Sequence, residues 1–307
     1  MSFNDYYNYG LHIRSEILCP ELMPYTQPGE SPEVTIRLLS NLPNVTESFE
    51  NRYYEVRPRT FRMAVAGVAK YVVEDGSRIS VEPATGASPE EVRLFLLGSA
   101  MGALLYQRGL FPLHGSAIET QWGAMIFVGS QGIGKSTLAA QFHRKGYRVL
   151  SDDVSAVASK PGGLEVLPAL AHFRLCADAY ERLGVLHDAS FNVDKFVAPL
   201  GEGYCSHPVP LQAIHVLADQ ENGEADFKLL RGFDRVKCLL ENLYRPQYLH
   251  GQSTQSDLMR MASLVARKSA MVTVTRRRDP ELIAPLVDFL ELAWVEHFGP
   301  APGKEKE

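Results

Sequence analysis

The stretch FVGSQGIGKSTLAAQF, Phe127–Phe142, decides how the rest of the chain is read. Inside it, Gly129-Ser130-Gln131-Gly132-Ile133-Gly134-Lys135-Ser136 fits G-x-x-x-x-G-K-[ST]. From average residue frequencies, a chance match in a chain of this length has a probability of about one in a hundred. The context is what a phosphate cradle needs. An apolar strand, Ala124 to Val128, enters the loop, and helix formers from Ser136 and Thr137 onward leave it. Glycines let successive backbone N–H groups turn toward one anion, and the helix N-terminus favours the same charge. The expected nucleotide contacts therefore run from Gly129 to Thr137. Lys135 meets the β and γ phosphates, and the Ser136 hydroxyl sits on Mg²⁺.

Such a loop needs an acid for its metal. Ser151-Asp152-Asp153 follows the apolar run Tyr147-Arg148-Val149-Leu150, so the carboxylates fall at the C-terminal end of a strand. Ligands bind at that end in open α/β sheets. Two adjacent carboxylates can divide the labour, one on the metal and one accepting a proton from an attacking hydroxyl. His114, in LHGSAI, is a lone histidine, which is more often structural than catalytic. Transfer of a phosphoryl group also calls for further cations. Arg174 and Lys195 come soon after the acidic pair and rank first. Arg276, Arg277 and Arg278 close an apolar strand, where alternate side chains face opposite sides. The Gly- and Pro-bearing stretch Pro199 to Pro210 is expected to be a mobile cover.

The chain has 307 residues, 45% hydrophobic and 22% charged, with a net charge of −5. That is ordinary for a globular protein and argues against a non-specific nucleic-acid binder. Cys19, Cys176, Cys205 and Cys238 are widely spaced, which points to reduced thiols in a cytoplasm. The N-terminus carries no signal-peptide pattern. The longest near-apolar run, Leu94 to Leu105, is too short to span a bilayer and reads as a buried helix. Its Gly98 and Gly102 mark close packing. No membrane partner is expected.

Residues 1–88 read as a β-rich subdomain with strands in GLHIRSEI, EVTIRLL, FRMAVAG, AKYVVED and SRISVEP. A hairpin is expected at Glu74-Asp75-Gly76-Ser77. A helix should start at the Ser88 cap with Pro89 in its first turn and stop at Gly109. Residues 89–299 form the second domain, and 300–307 a frayed tail. The order strand, helix, strand across Gly123 to Asp153 predicts a βαβ unit and a largely parallel sheet. The fold class is α/β.

The stretch LHGSAIETQWGAMIFVGSQGIGKSTLAAQFHRKGYRVLSDDVSAV resembles the nucleotide-binding core of the HPr kinase/phosphorylase family. There an HG pair, a strand, a P-loop, a helix and a D-D pair follow one another at similar spacing. The resemblance implies a P-loop core like that of HPr kinases and PEP carboxykinases, and a kinase using ATP and Mg²⁺. By position Asp152 resembles the catalytic base, Asp153 the metal-side acid, and His114 the histidine near the base. YGLHIRSEILCPEL, FLLGSAMGALLYQRGLFPLHGSA, VPLQAIHVLAD and VTVTRRRDPELI resemble a divergent branch associated with ribosomally made peptides, including lasso peptides. In that branch the acceptor is a C-terminal serine of the precursor peptide. Family members also assemble as homo-oligomers. The family's downstream E-x-R-G motif has His172-Phe173-Arg174-Leu175 as its nearest counterpart, with His172 where the glutamate belongs. A small-molecule phosphotransferase and a nucleotide-dependent binding protein remain alternative readings.

Overall fold

The computed structural model describes residues 3–27, 29–45, 48–49, 52–176, 195–249 and 255–300. The chain divides into two compact units. The first comprises Met1–Pro112 with Tyr244–Arg260, and the second Leu113–Leu243 with Met261–Glu307. Each carries one large mixed sheet.

The first unit holds β1 (Asn4–Asn8), β2 (Leu11–Ser15), β3 (Met23–Pro24), β4 (Val34–Leu38), β5 (Ser48–Phe49), β6 (Arg52–Arg57), β7 (Thr60–Val65), β8 (Ala69–Glu74) and β9 (Arg78–Pro83). They lie in the order β3-β1-β2-β4-β9-β8-β7-β6-β5. The five strands expected from alternation are all present. The β8–β9 turn is the expected hairpin, with Asp75 at φ 56° and Gly76 at φ 62°. That left-handed pair matches the twist of the strands it joins. Helix α1 (Pro89–Phe95) starts at Ser88, whose hydroxyl accepts from the Glu91 N–H at 3.2 Å. It continues through a π-helical turn, Leu96–Ala100, into α2 (Met101–Gln107). The Tyr71 hydroxyl donates to the Val92 carbonyl at 2.9 Å, which fixes the helix on β8. A Cβ at Gly102 would come 2.8 Å from the Tyr244 ring, so the small residue there permits the contact. These contacts put the helical segment with the first unit, and the division falls at Pro112, beyond the expected residue 88.

The second unit begins with β10 (Phe111–Thr120), of which Leu113 onward belongs to it, and β11 (Gly123–Val128). Then come α3 (Lys135–Arg144), β12 (Arg148–Ser151), β13 (Val154–Lys160) and β14 (Gly163–Leu167). Among the described residues, strands β15 (His172–Cys176) and β16 (Lys195–Pro199) pair only with each other. The rest is β17 (Val209–Asp219), β18 (Asp226–Leu229), α4 (Phe233–Glu241), α5 (Gln255–Lys268, of which Met261 onward belongs to this unit), β19 (Ala270–Arg276) and α6 (Ile283–Phe298).

The sheet is mixed rather than largely parallel. β11 and β12 do not pair. β10 runs antiparallel to both and lies between them. Parallel ladders join β11 to β17 and β17 to β19. The expected βαβ unit is therefore a β-α-β with a third strand inserted. No helix among the described residues is long and apolar enough to cross a membrane. Of the expected tail, residues 300–307, all but Pro300 lie outside the described residues.

The core of this unit is an aromatic stack. Phe127 on β11 lies flat on Phe142 of α3, with centroids 5.5 Å apart, and Phe142 lies on Trp294 of α6 at 5.1 Å. The stack seats α3 between the sheet and α6. Trp294 Nε1 donates to His215 Nε2 on β17 at 2.8 Å. Burial pushes the His215 imidazole down to about 3. In the unfolded chain a histidine titrates near 6.5. Between these values the unfolded chain takes up a proton that the folded chain refuses. The stability that His215 protects is therefore full above about pH 6.5 and is lost as pH falls toward 3. Urea denaturation at pH 7 and pH 5 tests this. The His215→Gln variant, which keeps an acceptor for Trp294, should lose on the order of 2 kcal/mol less than wild type between the two pH values.

Candidate phosphate-transfer site

β11 runs from Ala124 to Val128 fully buried, so the chain must leave the sheet abruptly at Gly129. Gly129, Gly132 and Gly134 have φ of 140°, 76° and 98°, values that side-chain-bearing residues rarely adopt. A Cβ at Gly129 would also lie 2.7 Å from the Leu217 carbonyl oxygen. Gly134 caps α3, whose first bond runs from the Leu138 N–H to the Gly134 carbonyl at 2.9 Å. The helix N-terminus thus opens directly into the loop.

Cations converge on the loop's carbonyls. Lys135, buried, donates from Nζ to Gly129 at 2.9 Å and to Ser130 at 3.1 Å. Arg278 donates to Gly132 at 2.8 Å, and Arg276 to Ile133. Arg276 is buried, and burial lowers its pKa, opposed by Asp219 at 3.6 Å. Nearby Arg278 lowers it further. Like charges gathered at a helix N-terminus repel one another, and an anion bound there relieves the repulsion.

The acidic pair forms the turn between β12 and β13. Asp153 takes φ 73°, the strained position of that turn. Three consecutive residues of β10 hold it. The His114 Nδ1–H donates to the Asp153 carbonyl at 3.0 Å, and the same nitrogen lies 3.5 Å from the Asp153 carboxylate. The Gly115 N–H donates to the Asp153 carbonyl at 3.2 Å. The Ser116 hydroxyl donates to Asp152 Oδ1 at 2.6 Å. Asp152 itself is buried. A carbonyl can only accept, so in the neutral His114 ring Nδ1 carries the proton and Nε2 is the acceptor. The same segment pairs with β11, Gly115 opposite Val128 and Ser116 opposite Phe127. A Cβ at Gly115 would lie 2.6 Å from the Phe127 carbonyl oxygen, so only glycine allows that approach.

The expected loop residues from Gly129 to Thr137 lie together. His114, Asp152 and Asp153 gather one strand away. Ser136 and Asp153 offer hard oxygen donors, the kind Mg²⁺ takes. Arg174 and Lys195 lie on β15 and β16, but their side chains fall outside the described residues. His172 is buried on β15, opposite Pro199. Ser116 is a site residue that the reading of motifs passed over. Arg276, which closes β19, and Arg278, two residues on, both reach the loop's carbonyls. The stretch Pro199 to Pro210 is anchored at two points. His143 packs on Gly203, and the Cys205 N–H donates to the Val149 carbonyl at 2.9 Å. His143 lies near the C-terminal end of α3, and Val149 lies on β12.

No family model matches this chain, and no curated protein does. A solved structure of the Hpr(Ser) kinase/phosphatase from Coxiella burnetii is similar at 13% identity, over 59% of this chain and 97% of that one, with a TM-score of 0.30. At that distance the reading of the site rests on its own geometry.

The Ser116→Ala variant tests how tightly β10 holds the acidic turn. It leaves a buried carboxylate oxygen short of a donor, and unfolding free energy measured in urea should fall by about 1.5–3 kcal/mol.

Proposed function

We propose that this chain is an Mg-ATP-dependent kinase that transfers the γ-phosphoryl group to a serine hydroxyl. On the resemblance given above, the acceptor is the C-terminal serine of a ribosomally made, lasso-type precursor peptide. One observation carries the reading: a single strand, β10, borders a cation-ringed glycine loop on one edge and holds a buried carboxylate on the other. A protein that only binds nucleotide has no need of that carboxylate, whereas a transferase needs a base.

The roles follow from chemistry. The loop amides and the N-terminus of α3 bind the triphosphate. Lys135 exchanges its carbonyl partners for phosphate oxygens. Asp152 accepts the proton of the serine hydroxyl as that oxygen bonds to the γ-phosphorus. The bond from γ-phosphorus to the bridging oxygen breaks, and its electron pair leaves with ADP. Charge spreads over the transferring group meanwhile, and Arg276 and Arg278 stabilise it from the loop's rim. Ser116 orients Asp152, and His114 steadies Asp153. Ser136 and Asp153 would hold Mg²⁺, which when bound neutralises phosphate charge.

Labelled ATP incubated with peptides ending in serine tests the reading, and label should appear on the terminal serine. Asp152→Asn should keep ATP binding and lose transfer by about 10³-fold or more. Near-normal transfer by that variant removes Asp152 as the base. Arg278→Ala should lower kcat by about 10-fold or more while ATP binding falls less. Absence of label on every serine peptide overturns the acceptor.

A further inference from the structure

Glu119, Cys205 and His207 lie away from the loop and take no part in the proposed reaction. Glu119 is near the end of β10, past the residues that hold the acidic turn. Cys205 and His207 follow a short 3-10 turn, Gly201–Gly203. One carboxylate oxygen, one sulfur and one imidazole nitrogen from these residues lie within 4.8 Å of one another.

The individual spacings narrow what this cluster can do. His207 Nε2 is 3.4 Å from Glu119 Oε1 and 3.8 Å from Cys205 Sγ. A tetrahedral zinc ion bonds sulfur at about 2.3 Å and nitrogen or oxygen at about 2.0–2.1 Å. Tetrahedral geometry then sets the nitrogen–oxygen edge at roughly 3.3 Å and the sulfur–nitrogen edge at roughly 3.6 Å. The Glu119 and His207 donors stand near the nitrogen–oxygen separation, while Cys205 Sγ lies 3.7 Å from Nδ1 and 3.8 Å from Nε2, so the exposed ring must turn to aim one nitrogen at the ion. A thiolate and an imidazole favour zinc over Mg²⁺ or Ca²⁺, which take all-oxygen shells.

We propose that Glu119, Cys205 and His207 form a zinc(II) site with three protein ligands and a fourth position open to solvent. The surroundings suit that role. The His207 side chain is 53% exposed, so water reaches the fourth position. The second oxygen of Glu119 accepts from Arg148 at 2.6 Å, which orients the carboxylate and turns Oε1 toward His207. Outer partners of this kind fix ligating groups in metal sites. Cys205 is fully buried, with its backbone held to Val149. A dication takes the sulfur as thiolate, so metal binding displaces the thiol proton. The bound ion would tie the segment after the 3-10 turn to β10.

The site stands independently of the kinase reading, and its test uses no kinase assay. The whole chain is stripped with a chelator and titrated with Co²⁺, reading the thiolate-to-cobalt charge-transfer absorption. Zn²⁺ then displaces the cobalt in competition. One equivalent should produce the band, and Zn²⁺ should raise the melting temperature. His207→Ala removes an exposed side chain and should fold, yet should weaken the metal at least ~10-fold. Cys205→Ala should abolish the band. No band in the wild-type chain overturns the proposal. So does a band of unchanged affinity in His207→Ala, which would show that His207 is not a ligand.

Discussion

Strand β10 has two edges, and the candidate site depends on both being filled. β11 occupies one edge through an antiparallel ladder, and the other is shared by β12, also antiparallel, and β13. Ladders of this kind set register residue by residue, and a slip of one position turns every side chain to the opposite face. With β10 in register, Ser116 faces Asp152 while Gly115 lies opposite the last residue before the loop. A slip would carry Ser116 away from the carboxylate and push a side chain against the Phe127 carbonyl. The strand acts as a ruler between a loop suited to anions and a carboxylate suited to protons. The Phe127–Phe142–Trp294 stack keeps the loop end of α3 aimed at that strand.

The second constraint is electrostatic. Lys135, Arg276 and Arg278 all donate to loop carbonyls. Those contacts pre-order the guanidinium and ammonium groups before an anion arrives, so less side-chain entropy is lost on binding. The buried position of Arg276, with its lowered pKa, adds desolvation cost to the ligand-free state. Both effects favour a polyanion.

Much of the fold is legible in the sequence where the signal is local. The Asp75-Gly76 hairpin, the Ser88 cap and the strand entering Gly129 all follow from backbone preferences of a few adjacent residues. β13 was hidden because VSAVA runs on from the acidic turn without a breaker, and its apolar residues have no alternation to announce a strand. The parallel sheet expected from strand-helix-strand order failed for a different reason. Chain order does not say which strand fills the space between two others, and β10 fills it. The helical segment from Pro89 read correctly as a helix, yet its unit was decided by Tyr71 and Tyr244, which are remote in sequence.

The sequence by itself determined the glycine loop, the helix that leaves it and the acidic pair at a strand end. Each depends on the φ and ψ of neighbouring residues, which composition dictates. Only the tertiary structure decided that Ser116 reaches Asp152 and that Arg276 and Arg278, not just Lys135, meet the loop. It alone showed that Glu119 shares a corner with Cys205 and His207. Those meetings join residues from separate elements. They are set by ladder register and core packing, whose energies belong to the assembled chain and leave no mark in any short stretch of it.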